Sequence, residues 1–229
     1  MSRPLVIAHR GASGFEVENS LAAFRAARTL GADAVELDIH ETADGGFIVH
    51  HGNMVGQHHI SHCPLRQLRE HLLPNGEPLP TLEEALGVIL PQMMAYVETK
   101  KVSPEHDERL TAIVDASAAP QRVAIHSFDH RIIQRLAERR PSMRRGVVAA
   151  SYLVNPVRCM EDADAHILWE EWPFIDDELV HAVHHAGMSV YAWTVNDPDG
   201  MHHLLRLGVD ALVTDFPDIA RTAVDSLPW

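Results

Sequence analysis

Two acidic residues, Glu36 and Asp38, stand two apart in the apolar run Ala34–Ile39. In an extended strand, residues i and i+2 share a face, so the two carboxylates converge. Buried anions side by side are costly and require a cation or a shared proton; pairing with an arginine at the rim is the other use for such a pair. Glu98 and Lys100 repeat the spacing at the end of the third such run. If the third strand lies beside the second, three carboxylates face one point. Ligation by oxygen alone favours a hard cation, Mg²⁺ or Ca²⁺, over zinc. Lys100, a solvated lysine in most settings, would there add positive charge beside a metal and an anionic phosphate without taking a ligand position.

His9 and Arg10 end the first apolar run, and Gly11 allows a tight turn. A guanidinium offers a fork for phosphate oxygens, and an imidazole titrates near neutrality, so the pair suits a phosphodiester. The segment Ala43-Asp44-Gly45-Gly46 carries a D-G hairpin signal. With the turn centred between Asp44 and Gly45, His51 falls opposite Asp38; a bulge at Gly46 would bring His50 forward instead. The chain has 17 histidines. Most need no special role, and pairs such as His58/His59, His184/His185 and His202/His203 read as loop or helix-surface residues.

These residues need a frame, and the alternation of short β-rich runs with helical patterns predicts a parallel sheet with crossover helices. Eight strands are expected: Leu5–His9, Ala34–Ile39, Met94–Thr99, Arg122–Ser127, Arg145–Ala149, His166–Trp169, Ser189–Val195 and Ala211–Asp215. Eight is the count of a (β/α)₈ TIM barrel, whose active sites lie at the C-terminal strand ends. Helices are expected over Ser20–Thr29, with Asn19 as N-cap and Gly31 as stop, and over Leu82–Leu90, Pro104–Ala116, His130–Arg139, Asp176–Ala186 and Pro198–Leu207. Residues 52–80, with four prolines, fit neither pattern and read as a small excursion over the barrel mouth, where substrate choice is often set.

A chain of 229 residues suits one barrel domain spanning 1–229, and 46% hydrophobic with 22% charged residues is an ordinary globular composition. The net charge of −13 disfavours nucleic acid and anionic membrane surfaces as partners. Cys63 and Cys159 are too few for a disulfide framework and lack metal or redox spacing. With no room before Leu5 for a removable leader and no run long enough to span a bilayer, a cytoplasmic protein is expected.

With these residues in view, the sequence resembles the glycerophosphodiester phosphodiesterase family. The resemblance is carried by I-A-H-R-G (Ile7–Gly11), E-N-S-L-A-A-F (Glu18–Phe24), G-A-D-A-V-E-L-D-I (Gly31–Ile39), T-x-D-G (Thr42–Gly45) and V-x-H (Val49–His51). E-T-K (Glu98–Lys100), S-F-D (Ser127–Asp129), W-T-V-N (Trp193–Asn196) and G-V-D-A-L-V-T-D-F-P (Gly208–Pro217) come after these in order, so the match covers the whole chain.

The resemblance implies a barrel of the phospholipase C-like phosphodiesterase type. It implies one divalent cation, Mg²⁺ or Ca²⁺, held by Glu36, Asp38 and Glu98, catalytic histidines at His9 and His51, and phosphate contacts from Arg10 and Lys100. It further implies hydrolysis of small glycerophosphodiesters to an alcohol and glycerol 3-phosphate. Phe128 and Trp193 stand either as an apolar wall for substrate or as core aromatics. Val17 and Ser20 replace the family's usual Pro and Thr, changes that alter local rigidity more than chemistry, whereas Gly52 in place of an Asp and Asn53–Gln57 in place of a usual L-D-R-T segment bear on substrate identity. Two rivals remain: a lysophospholipid or other lipid phosphodiester at the same site, which requires an apolar entrance, and a non-catalytic binding module, against which the retained histidines and carboxylates argue.

Overall fold

A computed structural model of the protein describes residues 3–90 and 92–228; Met1 and Ser2, where the stretch read for a leader begins, lie outside them. The strands are β1 (Leu5–Ala8), β2 (Ala34–Glu41), β3 (Phe47–Val49), β4 (Met54–Val55), β5 (His58–His59), β6 (Met94–Lys101), β7 (Val123–Ser127), β8 (Arg144–Ala149), β9 (Ile167–Glu171), β10 (Ser189–Trp193) and β11 (Ala211–Thr214). The parallel order β1-β11-β10-β9-β8-β7-β6-β2 closes through a β1–β2 pairing, an eight-stranded barrel. All eight expected strands are present, and every strand end lies within two residues of its expected position. Their near-continuous burial is what a parallel strand covered on both faces requires.

The helices are α1 (Leu21–Thr29), α2 (Leu65–Leu68), α3 (Leu82–Ile89), α4 (Asp107–Ala116), α5 (His130–Arg139), α6 (Pro156–Asp162), α7 (Asp177–His185), α8 (Pro198–Leu207) and α9 (Pro217–Asp225). The N-cap of α1 is Ser20, whose Oγ accepts from the Ala23 amide at 3.0 Å, and not Asn19 as expected. Asn19 takes a left-handed backbone, φ 57°, and sends its amide into the carboxylate cluster of β2. Helices α6 and α9 were not expected, although each opens on a proline, a favoured first helical residue.

Alternation divides the strand residues between two layers. Leu37, Val97 and Ile125 face the helices in the large outer core. Tyr96, Trp169 and Tyr191 fill the barrel interior, edge to face at 5.1–5.5 Å, with the two phenol oxygens 3.0 Å apart. Gly146 leaves room for this plug, since a Cβ there would lie 2.6 Å from Trp169 Nε1.

The hairpin register differs from expectation. Ile39 faces Val49 and His40 faces Ile48, so the ladder brings His50, not His51, opposite Asp38, and His50 N donates to Asp38 O at 3.1 Å. The cause is the turn. Thr42 N donates to Gly46 O and Gly46 N to Thr42 Oγ1, closing three residues with Gly45 at φ 72°, in place of a two-residue D-G turn. After β3 the chain builds the excursion, where Val55, Ile60, Cys63, Leu68 and Leu79 pack a small core on Ile48. Both cysteines are free, and among the described residues no helix is long and apolar enough to cross a membrane.

Candidate active site

The C-terminal ends of the barrel strands surround a cavity of about 230 Å³ lined by His9, Arg10, Glu36, His51, Glu98, Lys100, His126, Phe128, Trp169 and Trp193, among others. Both expected histidines, Arg10, Lys100, Glu36 and Glu98 thus line one cavity together with both expected wall aromatics, and Asp38 stands beside them, its carboxylate on Lys100. Phe128 and Trp193 meet edge to face, centroids 5.7 Å apart, with the Phe128 ring half exposed.

Glu36 and Glu98 line the cavity, and Asp38 is the register partner of Glu98 across β2 and β6. Glu36, Asp38 and Glu98 are all buried. Burial, then the charges of Asp38 and Glu98, pushes the Glu36 carboxyl well above its ordinary range. Burial also raises Glu98, although Lys100 opposes this. For Asp38 burial acts upward, but Lys100 and Arg10 outweigh it and its carboxyl lies below the usual value. Asp38 Oδ1 receives Lys100 Nζ at 2.7 Å; Oδ2 receives Asn19 Nδ2 at 2.8 Å and lies 3.2 Å from Arg10 Nε. Lys100 Nζ also donates to Glu98 Oε1 at 2.6 Å.

Glu36, Asp38 and Glu98, the three expected carboxylate ligands, come together on adjacent strands, and each accepts from a neighbouring donor, Asp38 through both of its oxygens. Among the described residues, the groups whose ligand atoms lie within 4.8 Å of one another are Glu36, Glu98 and His126. His126 sits laterally beside Glu98 in the β6–β7 register, as Glu98 does beside Asp38. Its ring stacks on Trp169, centroids 3.9 Å apart and planes within 5°, and its Nε2 is 3.9 Å from Glu36 Oε1. Burial, followed by the Lys100 charge, pushes the imidazole down to about 3, so it is neutral at pH 7, the form that binds metals.

A divalent cation fits this arrangement. Three buried carboxylates face two cationic side chains, Arg10 and Lys100, one carboxylate more than these cations can pair, and a bound cation would supply the positive charge that lets Glu36 ionise. Two carboxylates and a neutral imidazole are donors for such an ion.

His9 is held by a residue that the strand reading did not single out. Its Nδ1 is 2.7 Å from Asp215 Oδ1, at the end of β11. Ser13 Oγ also donates to that oxygen at 2.8 Å, and Asn196 Nδ2 donates to Oδ2 at 2.6 Å. Burial acts to raise Asp215, but its hydrogen bond and charge interaction with His9 bring it down to about 2. With Nδ1 engaged, Nε2 is the His9 nitrogen left for the cavity. Arg10 turns through a left-handed backbone, φ 55°, its amide donating to Glu36 Oε2 at 3.0 Å and its Nη1 to Glu18 Oε2 at 2.8 Å. A non-glycine residue in that region is strained, as is common at functional sites.

His51 reaches the cavity although its expected register is wrong. Beyond Val49 the ladder ends, His50 Nδ1 turns back to the Gly52 carbonyl at 2.8 Å, and His40 Nε2 meets the His51 carbonyl at 3.1 Å. Burial, then the Arg10 charge, holds the His51 imidazole below its ordinary value.

Residues 9–219 match the model of the glycerophosphoryl diester phosphodiesterase family. The chain belongs to this family. A glycerophosphodiester phosphodiesterase from Caldanaerobacter subterraneus subsp. tengcongensis is 30% identical, over 94% of this chain and 96% of its own. The structure of an Oleispira antarctica phosphodiesterase in complex with the product sn-glycerol-3-phosphate superposes with a TM-score of 0.89 at 28% identity, covering 97% of both chains. A glycerophosphodiester phosphodiesterase from Parabacteroides distasonis gives the same TM-score at 26% identity over 98% of both.

For this glycerophosphoryl diester phosphodiesterase family member, three supporting residues escaped the sequence reading. His126 is the one ionisable group in the buried run Val123–Ser127, a signal that was present. Asp215 stands in the quoted T-D-F-P motif and closes an expected strand. Asn19 was read as a helix cap, although it too stands in a quoted motif, E-N-S-L-A-A-F.

Proposed function

We propose that this protein hydrolyses small glycerophosphodiesters to glycerol 3-phosphate and an alcohol, using His9 and His51 for proton transfer beside a divalent cation. The observation that carries this reading is a single cavity lined by both histidines, Arg10, Lys100, Glu36 and Glu98, with Asp38 beside it on Lys100. A similar protein's complex with sn-glycerol-3-phosphate supports the same substrate class.

Arg10 and Lys100 contact the non-bridging phosphate oxygens, and Phe128 and Trp193 cover the carbon skeleton of the substrate. His51, kept neutral by burial and Arg10, takes the proton from the attacking hydroxyl. His9, oriented through Nδ1 by Asp215, donates a proton from Nε2 to the departing alkoxide, and the glycerol 2-oxygen that attacked is left in a cyclic phosphate. Water then opens that ring at phosphorus, giving its proton to His9 while His51 returns its own to the 2-oxygen, which yields glycerol 3-phosphate. Glu36 and Glu98 hold the cation, with His126 as the third donor and Asp38 at their side tied to Lys100. When bound, the ion supplies Lewis-acid stabilisation of charge developing at the phosphate and its neighbouring hydroxyl. The carboxylates suit Mg²⁺ and Ca²⁺, and the imidazole extends the set to Mn²⁺.

Release of glycerol 3-phosphate from glycerophosphocholine, glycerophosphoethanolamine, glycerophosphoglycerol and glycerophosphoinositol, before and after chelation and with each of the three ions added back, tests the reading. Activity lost on chelation and restored by one ion supports it; full turnover by rigorously metal-free protein refutes the cation's part, and no product under any condition refutes the substrate class. A lipid diester has one observation in its favour: Phe15, Phe128, Tyr152 and Val154 are exposed on loops that come after strand C-termini. Turnover of lysophosphatidylcholine in excess of glycerophosphocholine would establish that reading instead.

A further inference from the structure

Lysine occurs twice in the 229 residues, at Lys100 and Lys101. Both line a second cavity of about 540 Å³, bounded by His40 and Glu41 from the end of β2, by Asn53, His59 and Ser61 from the excursion, and by Ser103. Lys100, the residue assigned above to phosphate, also lines the active-site cavity, so the two cavities share it. A phosphodiester has two ester arms. With its phosphate at Lys100, one arm enters each cavity. His9, His51, Glu36 and Glu98 line the first cavity and not the second, so the glycerol whose hydroxyl reacts occupies the first. The head group then extends under the excursion.

The second cavity has a definite chemistry. Its one lining carboxylate, Glu41, is already satisfied: Oε1 meets His106 Nδ1 at 2.7 Å, and Oε2 accepts from the Ser103 amide. His40 is tied to the His51 carbonyl. What remains is the exposed Lys101 ammonium, which forms no ion pair among the described residues, the Asn53 amide, and the His59–Ser61 pair, Nδ1 to Oγ 2.9 Å. No Phe, Tyr or Trp lines it. A quaternary ammonium would find neither a free carboxylate nor an aromatic face there, whereas hydroxyls and a negative charge would find donors.

We infer that this cavity is the head-group subsite, and that it takes a polyhydroxylated head group carrying its own phosphate, which Lys101 contacts. The assignment rests on the glycerophosphodiester reading of the reacting site. It also gives the altered residues Asn53–Gln57 a role, since Asn53 stands in the wall.

Steady-state kinetics on glycerophosphoinositol 4-phosphate, glycerophosphoinositol and glycerophosphocholine, with Lys101→Ala and Asn53→Ala beside the wild type, tests it. Wild-type kcat/KM should fall in that substrate order. Lys101→Ala should lower the first value by about tenfold, the size of one partly exposed charge-assisted contact, and leave glycerophosphocholine within roughly twofold. Asn53→Ala should lower both inositol substrates and spare the choline one. The assignment is overturned if the wild type shows no preference for the phosphorylated head group, or if Lys101→Ala slows all three substrates alike. If no substrate yields glycerol 3-phosphate, the reading of the reacting site has failed, and calorimetry with inositol 1,4-bisphosphate decides the subsite separately: binding that Lys101→Ala weakens supports it, and no binding to the wild type overturns it.

Discussion

Asp215→Asn changes one atom and removes the charge behind His9, and the surrounding hydrogen bonds dictate how the site responds. In the native site Oδ1 faces two donors, His9 Nδ1 and Ser13 Oγ, while Oδ2 faces the Asn196 amide nitrogen. Asn196 cannot turn over to help, because its own Oδ1 already accepts from Thr214 Oγ1 at 3.0 Å and the Asp215 amide at 2.9 Å. An asparagine at 215 therefore has two poor choices. With its oxygen toward His9, its NH₂ opposes the Asn196 NH₂ across a gap of 2.6 Å. With its NH₂ toward His9, Nδ1 must become the acceptor and the ring proton moves to Nε2, the wrong tautomer for cycling a proton there. Loss of a charge-assisted hydrogen bond costs about 1.5–3 kcal/mol, or roughly 10- to 150-fold in rate, and a wrong tautomer takes the loss toward about 10⁴-fold. The expected result is a fall in kcat of about 10² to 10⁴ with little change in KM, in glycerol 3-phosphate release at saturating cation, and with thermal unfolding confirming a folded protein. A kcat within about threefold of wild type would refute the argument that Asp215 orients a catalytic His9.

His51→Ala should lower kcat by about 10²- to 10⁴-fold, whereas His50→Ala, whose ring serves only the Gly52 carbonyl, should be nearly silent; the opposite ranking in the same assay would assign the chemistry to His50. Gly146→Ala places a methyl 2.6 Å from Trp169 Nε1, so it should destabilise the barrel by about 1–3 kcal/mol in urea titration, and because Trp169 underlies His126 it should also weaken cation binding. The depressed Asp215 carboxyl, about 2 in the folded protein against about 3.9 unfolded, contributes stability that is present above the unfolded value and lost as the pH falls toward the folded one. Urea midpoints between about pH 5 and pH 2 should accordingly fall more steeply for the wild type than for Asp215→Asn, and parallel curves would contradict the assignment.

The frame was legible because parallel buried strands are short apolar runs, and nothing else in the chain imitates them eight times. Glu36 and Glu98 were legible through the two-residue period of a strand, which is a local property. Lateral neighbours are not local: whether His126 or Ala124 comes to rest beside Glu98 depends on the stagger between β6 and β7, which the order of residues within either strand leaves open. The same limit explains Asp38. Its face could be read, but not that Asn19, 19 positions earlier, would take a left-handed turn and occupy one of its oxygens. The hairpin shows a third kind of limit. A turn of three residues in place of two moves every cross-strand partner by one, and His51 still reached the cavity because the strand stops before alternation applies to it.

His9 and Asp215 are separated by 206 positions and meet because the last strand lies against the first. A ribosome-bound chain that has displayed His9, the carboxylates and His51 still lacks the partner that aligns His9 until β11 has emerged and docked. Turnover thus reports that the ring has shut. A chain cut in the excursion offers the complementary experiment, since neither half contains both residues and recovered hydrolysis on mixing would time the rejoining of the two seams.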